Sequence, residues 1–135
     1  MRWLALGLAL ACAPAFALEL QPGEWEFRST STSQLLPKPQ LVTFRRCIRK
    51  EDAADPERWM SESGQSDCKL TPGEKTADTY TWEMTCPSAN MRGRGFARLR
   101  GGAMEGETTM NGEVKGKKFE LRTAVTGRRL GPCKQ

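Results

Sequence analysis

The sequence predicts an all-β fold, and three observations lead to this prediction. Polar and apolar residues alternate along several short runs, which is the period of strands with one buried face. Turn-forming pairs such as Gly101-Gly102 separate these runs. Only residues 49–60 have a helical pattern, and Pro56 limits it to a short helical turn. We therefore expect about seven antiparallel strands in meander order, forming a strongly curled sheet or a partly open barrel.

The first seventeen residues have the layout of a secretory signal peptide. Arg2 precedes an apolar run that is too short to span a bilayer, and Ala15-Phe16-Ala17 is a small-x-small cleavage site. We expect cleavage after Ala17, which leaves residues 18–135 as a single β domain in the periplasm. Cys12 resembles the lipid-attachment cysteine of a lipoprotein signal, but few residues precede it and the motif fits poorly, so a lipid-anchored form is the less favoured alternative.

Two strand-like runs follow the expected cleavage site. After Pro22-Gly23, Trp25 and Phe27 alternate with charged residues, which predicts a half-buried strand. Residues 40–47 form the second run. The single helical stretch comes next.

A hairpin is predicted in the middle of the chain. Residues 67–71 and 79–86 are strand-like and flank a polar, turn-rich segment that begins with Pro72-Gly73. Folding this segment back on itself brings Cys68 and Cys86 together at the open end of the hairpin.

The cysteines predict two disulfides. Four remain after cleavage, an even number in a small exported chain, and no C-x-x-C pair suggests a redox or zinc motif. Counting alone leaves three pairings open. The hairpin favours Cys68–Cys86, which leaves Cys47–Cys133 to hold the C-terminal end onto an early strand.

The final third of the chain predicts a second hairpin and a last strand. Gly101-Gly102 is a strong two-residue turn signal between residues 91–100 and the strand that follows. This turn places Arg98 opposite Glu105. Arg122, in an alternating run over residues 118–126, then comes within reach of Glu107.

Every even position but one between 92 and 100 is arginine: Arg92, Arg94, Arg98 and Arg100. A strand would place all four on one face, as a polyanion-binding ladder does. The favoured interpretation is an outer sheet face carrying cross-strand ion pairs, with Arg98 paired to Glu105. Arg92 and Arg94 have no acidic partner in the register with the following strand, so they are the candidate anion-binding residues. Because no aromatic ladder accompanies them, we expect no nucleic-acid partner.

The opposite face of this strand carries the small residues Gly93, Gly95 and Ala97. They leave space either for large neighbours such as Met104 and Met110 or for a cavity. A curled antiparallel sheet with a central void is how small barrels hold apolar ligands.

The sequence offers little support for catalysis. Histidine is absent, which removes the commonest general base and metal ligand and excludes Ser-His and Cys-His triads. Glu105 and Glu107 are adjacent on one face, but arginines surround them and should keep both ionised. Gly93-x-Gly95 precedes no helix and is not a phosphate loop. We expect no catalytic residue, no cofactor and no metal, and we interpret three tryptophans as packing residues: Trp25, Trp59 and Trp82.

The chain resembles the domain of unknown function 3617 family, small exported proteins of Gram-negative bacteria. The resemblance rests on several short motifs taken together: Pro22-Gly23-Glu24-Trp25-Glu26, Cys47-Ile48-x-x-Glu51-Asp52-Ala53, Cys68, Trp82-x-x-x-Cys86, Glu105-Gly106 and Gly127-Arg128-Arg129-Leu130-Gly131-x-Cys133. It implies a periplasmic or envelope-associated protein with this cysteine set, and it supplies no catalytic or binding residues.

We therefore expect a non-enzymatic envelope protein with no transmembrane segment that holds a small apolar ligand within its curled sheet. The alternative is an interaction protein that uses Arg92 and Arg94 on an anionic partner or an envelope enzyme. The mild formal net charge of +5 is compatible with either function.

Overall fold

The computed structural model describes residues 20–53 and 68–134. The expected signal peptide, Cys12, Trp59 and most of the predicted helical stretch lie outside these residues. The described part contains seven strands, the four-residue helix α1 (Lys50–Ala53) and a 3₁₀ turn over Pro87–Ala89. The strands are β1 Gly23–Ser33, β2 Gln40–Ile48, β3 Lys69–Lys75, β4 Thr79–Cys86, β5 Met91–Arg100, β6 Ala103–Val114 and β7 Lys117–Gly131.

The seven strands form one unclosed antiparallel sheet in the order β2-β1-β7-β6-β5-β4-β3. Every pair of consecutive strands is adjacent except β2 and β3, which form the two edges. The first strand instead pairs with the last, along Glu24–Ser33 and Leu121–Gly131. The predicted all-β class, strand number and antiparallel pairing are confirmed.

Two-residue turns set the register of β5, β6 and β7. Gly101 has a φ of 57°, as the first central residue of a tight hairpin turn requires, and the next turn has φ of 51° at Lys115 and 78° at Gly116. The first of these turns pairs Arg98 with Glu105, as the sequence predicts.

The hairpin around Pro72 differs from the prediction in one respect. Pro72 and Gly73 do not form its turn, because β3 continues through them to Lys75, with a register shift after Pro72. Proline is tolerated at this position because β3 is an edge strand, where an N–H facing away from the sheet needs no partner.

The concave face of the sheet carries the main core. Trp25 and Phe27 of β1 are buried together with Tyr80 and Trp82 of β4 and Met104 of β6. At one end of the sheet, three further buried residues join this cluster: Leu20, Ile48 and Ala53 of α1. The end of the sheet near the first residues of β1 is therefore closed by apolar side chains.

Two disulfides hold opposite ends of the sheet. Cys47 near the end of β2 is bonded to Cys133 after β7, and Cys68 before β3 is bonded to Cys86 at the end of β4. These are the two pairs that the hairpin argument favoured. The first closes a separation of 86 residues and ties the C-terminal end to an edge strand.

Candidate functional site

A cleft of about 240 Å³ lies on the concave face. Its walls come from six strands, with Phe44 of edge strand β2 on one side and Met84 of β4 on the other. These strands are five places apart in the sheet. Their shared cleft shows that the sheet curls strongly, as the sequence predicts.

Large side chains fill most of the space left by the small residues of β5. A Cβ on Gly93 would stand 2.5 Å from the sulfur of Met110, and one on Gly95 would stand 2.5 Å from Cζ2 of Trp82. Both outcomes considered for this face therefore occur. Neighbours cover the two glycines, and a smaller cleft remains beside Ala97.

The side chains that face the cleft are mostly apolar. Phe27, Phe44 and Val125 form one wall, and Trp82 and Met84 belong to the other. The rings of Phe27 and Phe44 are stacked, with centroids 5.2 Å apart.

Two polar side chains also face the cleft. Arg46 lies opposite Trp25 on the concave face, and Thr108 is next to Gly95. The lining of the cleft is therefore mostly apolar, with few polar groups.

The outer face of the sheet carries the arginine ladder. Arg98 lies 3.0 Å from the carboxylate of Glu105, and Arg122 lies 3.3 Å from that of Glu107. Both carboxylates are thus engaged in cross-strand ion pairs on the outer face.

Arg92 and Arg94 are exposed on the same face. Within residues 20–53 and 68–134, neither takes part in an ion pair. The register between β4 and β5 places Glu83 directly opposite Arg94, a neighbour that the β5–β6 register alone does not reveal. Arg94 also lines a groove of about 760 Å³ that contains charges of both signs, including Glu83 and Arg122.

A family model described as "Protein of unknown function (DUF3617)" matches residues 20–133. The chain belongs to the DUF3617 family. No curated protein and no solved structure is significantly similar to it.

The two terminal motifs of this DUF3617 chain meet where β1 pairs with β7. Gly127 lies opposite Phe27, and a Cβ at this glycine would stand 2.8 Å from both the Phe27 ring and Met104. The Nε of Arg129 donates a hydrogen bond of 2.8 Å to the carbonyl oxygen of Pro22. These motif residues therefore hold the first and last strands together.

The same pairing builds a charged cluster that the sequence did not predict. Glu26 is only 9% exposed, and its carboxylate lies 3.3 Å from Arg128, 3.5 Å from Arg45 and 3.7 Å from Arg28. Arg45 belongs to β2 and Arg128 to β7, so the cluster joins three strands. No local pattern reveals it, because the register of β1 against β7 depends on distant parts of the chain.

The described part of this DUF3617 chain contains no group of three or more Cys, Asp or Glu side chains placed to hold a metal ion. No helix among these residues is long and apolar enough to cross a membrane.

Proposed function

We propose that this protein is an exported, non-enzymatic envelope protein that binds a small apolar ligand in the cleft of its curled sheet. The observation that supports it is the cleft of about 240 Å³ walled by Phe27, Phe44, Trp82, Met84 and Val125. Water in such a site finds few hydrogen-bond partners, so an apolar ligand gains free energy by replacing it.

The size of the cleft limits the ligand. A volume of 240 Å³ equals the share of about eight water molecules in the liquid. The site therefore suits a single-ring aromatic compound or a short stretch of an acyl chain, and not a whole phospholipid.

A filling substitution tests ligand binding. Val125→Trp places a large ring in the cleft, and Thr126→Trp adds the same ring on the opposite face of β7 as a matched control. We expect n-butylbenzene, titrated by calorimetry, to bind the wild-type chain and the control, and Val125→Trp to lose the binding heat. Equal binding by all three chains, or binding by none, would contradict the proposal.

Export is supported by the two disulfides, because such bonds persist in oxidising compartments. The signal-peptide layout of the first residues points the same way. We expect mass spectrometry of the protein recovered from the periplasm to give a chain that begins at Leu18 with four oxidised cysteines. An uncleaved chain with free thiols would contradict export.

A second candidate function is supported by the unpaired arginines of the outer face. Arg92 and Arg94 are exposed and form no ion pair within the described part of the chain, so an anionic envelope component could bind them. We expect the chain to co-sediment with phosphatidylglycerol vesicles at low salt and to be released at high salt. The double substitution Arg92→Ala/Arg94→Ala should abolish binding, whereas Arg98→Ala, which removes a paired arginine, should retain most of it.

A further inference from the structure

The two edges of the sheet differ in how they are protected against pairing with another strand. The β3 edge carries Lys69 and Lys75, and Pro72 lies between them next to a register shift. Lysines, prolines and bulges at an edge are the features by which proteins prevent the addition of further strands. The β3 edge is therefore closed to association.

The β2 edge is less protected, because its two charged residues, Arg45 and Arg46, lie in the second half of the strand and leave the first half without charge. Its nine residues pair with β1 without a register shift and include neither proline nor lysine. Three large apolar side chains are exposed along it: Leu41 at 76%, Val42 at 56% and Phe44 at 45%. A long, regular and apolar edge strand is a template for pairing with another strand.

We infer that two copies of this chain associate by antiparallel pairing of their β2 strands across a two-fold axis. The axis passes through Thr43, so that Val42 lies opposite Phe44 of the partner subunit, and the reverse pair forms by symmetry. Each pair buries apolar surface on the concave side, and the seven described strands of each copy join in one continuous sheet.

The distribution of charge along β2 is compatible with this register. With the axis at Thr43, Arg45 lies opposite Leu41 of the partner subunit and Arg46 lies opposite Gln40 of the partner subunit. The Arg45 residues of the two copies are then about 13 Å apart, because four residues at about 3.3 Å each separate them along the strand. The two Arg46 residues are further apart. An axis at Arg45 would instead place like charges directly opposite each other, which destabilises a strand pair.

The first test measures self-association in solution. We expect sedimentation equilibrium of the oxidised chain to give a monomer–dimer equilibrium. Val42→Lys should weaken the dimer by about tenfold, because it removes both symmetric apolar pairs. Thr71→Lys, which adds the same charge to the exposed β3 edge, should leave the equilibrium unchanged.

The second test measures the register. In Thr43→Cys the two new thiols lie on the axis, where opposite Cα atoms of an antiparallel pair are about 4.5–5.5 Å apart and a disulfide forms readily. In Leu41→Cys, on the same face, the new thiols are about 13 Å apart. We expect covalent dimers from the first variant only, with both native disulfides intact by peptide mapping.

Two results would overturn the inference. One is a chain that stays monomeric at every concentration tested, which would show that β2 does not pair with a second copy. The other is equal cross-linking of Thr43→Cys and Leu41→Cys, which would exclude the Thr43-centred register. Neither result depends on ligand binding in the cleft, so this inference and the proposed function are tested separately.

Discussion

The indole of Trp82 lies directly against Gly95 of the neighbouring strand, so that a Cβ on residue 95 would stand 2.5 Å from Cζ2 of the ring. The two residues are opposite each other in the register of β4 and β5. Glycine at this position allows a buried tryptophan to lie across the concave face and to form a wall of the cleft.

Gly95→Ala should therefore destabilise the protein by about 2 kcal/mol, because the new methyl group forces the Trp82 ring out of its position. Urea unfolding followed by tryptophan fluorescence measures the change. Gly102→Ala is the matched control, since its Cβ would have only ordinary van der Waals contacts, the shortest at 3.7 Å with Arg129. A similar loss in both variants would show that the general effect of replacing glycine, and not the Trp82 contact, is responsible.

Glu26→Gln should lower the free energy of unfolding by about 2 kcal/mol. The substitution removes the buried negative charge that Arg28, Arg45 and Arg128 share. Added salt should narrow the difference from wild type, because it screens the repulsion among the remaining guanidinium groups. Urea titrations at low and high salt test both expectations.

The exposed ion pair of Glu105 with Arg98 provides the control for the loss of stability expected from Glu26→Gln. Both side chains are about half exposed, so Glu105→Gln should change the free energy of unfolding by less than ~1 kcal/mol. If Glu26→Gln is as mild as this control, the three-arginine cluster does not stabilise the pairing of β1 with its neighbours.

The two disulfides should differ in their contribution to stability. Replacing Cys47 and Cys133 by serine releases a loop of 86 residues and should cost about 4–5 kcal/mol, against about 3 kcal/mol for Cys68 and Cys86, which are 18 residues apart. Guanidinium unfolding of the two double variants gives the order. Hydrogen exchange should show the larger loss of protection at the C-terminal end of β7 in the first variant. A larger loss of stability from the hairpin disulfide would contradict this prediction.

Asp78 in the β3–β4 turn should make a stabilising contribution that depends on pH. The hydroxyls of Thr79 and Thr76 donate hydrogen bonds of 3.1 and 3.2 Å to its carboxylate and lower the pKa of Asp78 from its ordinary 3.8. A carboxyl with a lowered folded-state pKa stabilises the fold above its ordinary pKa, and the contribution is lost as the pH falls through the lowered value.

Asp78→Asn tests this dependence. The variant should melt below wild type at neutral pH, and the difference should shrink in acid as Asp78 of the wild type becomes protonated. A melting difference that is constant between neutral and strongly acidic pH would show that the carboxylate charge plays no part.

The sequence predicts the local parts of the architecture well. Alternation identifies the strands, and the Gly101-Gly102 turn determines the register of β5 against β6. The alternation supports the same register, because a slip of one residue would move every apolar side chain to the wrong face. The same reasoning pairs Cys68 with Cys86. It is less successful at Pro72-Gly73, where position at the edge of the sheet outweighs local turn preference.

The cleft was only partly predictable. Small residues on one face of β5 indicate space, but the sequence does not say which large side chains enter it. Trp82 and Met110 cover the two glycines because β4 and β6 place them there, and the remaining volume depends on how far the sheet curls towards Phe44.

The fold class, the strands, the local hairpins and the ionic pairs across them can all be predicted from the sequence, because they depend on alternation and on turns between neighbours in the chain. The pairing of β1 with β7, in contrast, is visible only in the folded chain. That contact joins residues about a hundred positions apart and brings Arg128 to Glu26. It leaves β2 and β3 as the two edges, since a strand has only two sides on which to form hydrogen bonds. The exposed β2 edge and the cleft both follow from that choice of partners, which no local pattern encodes.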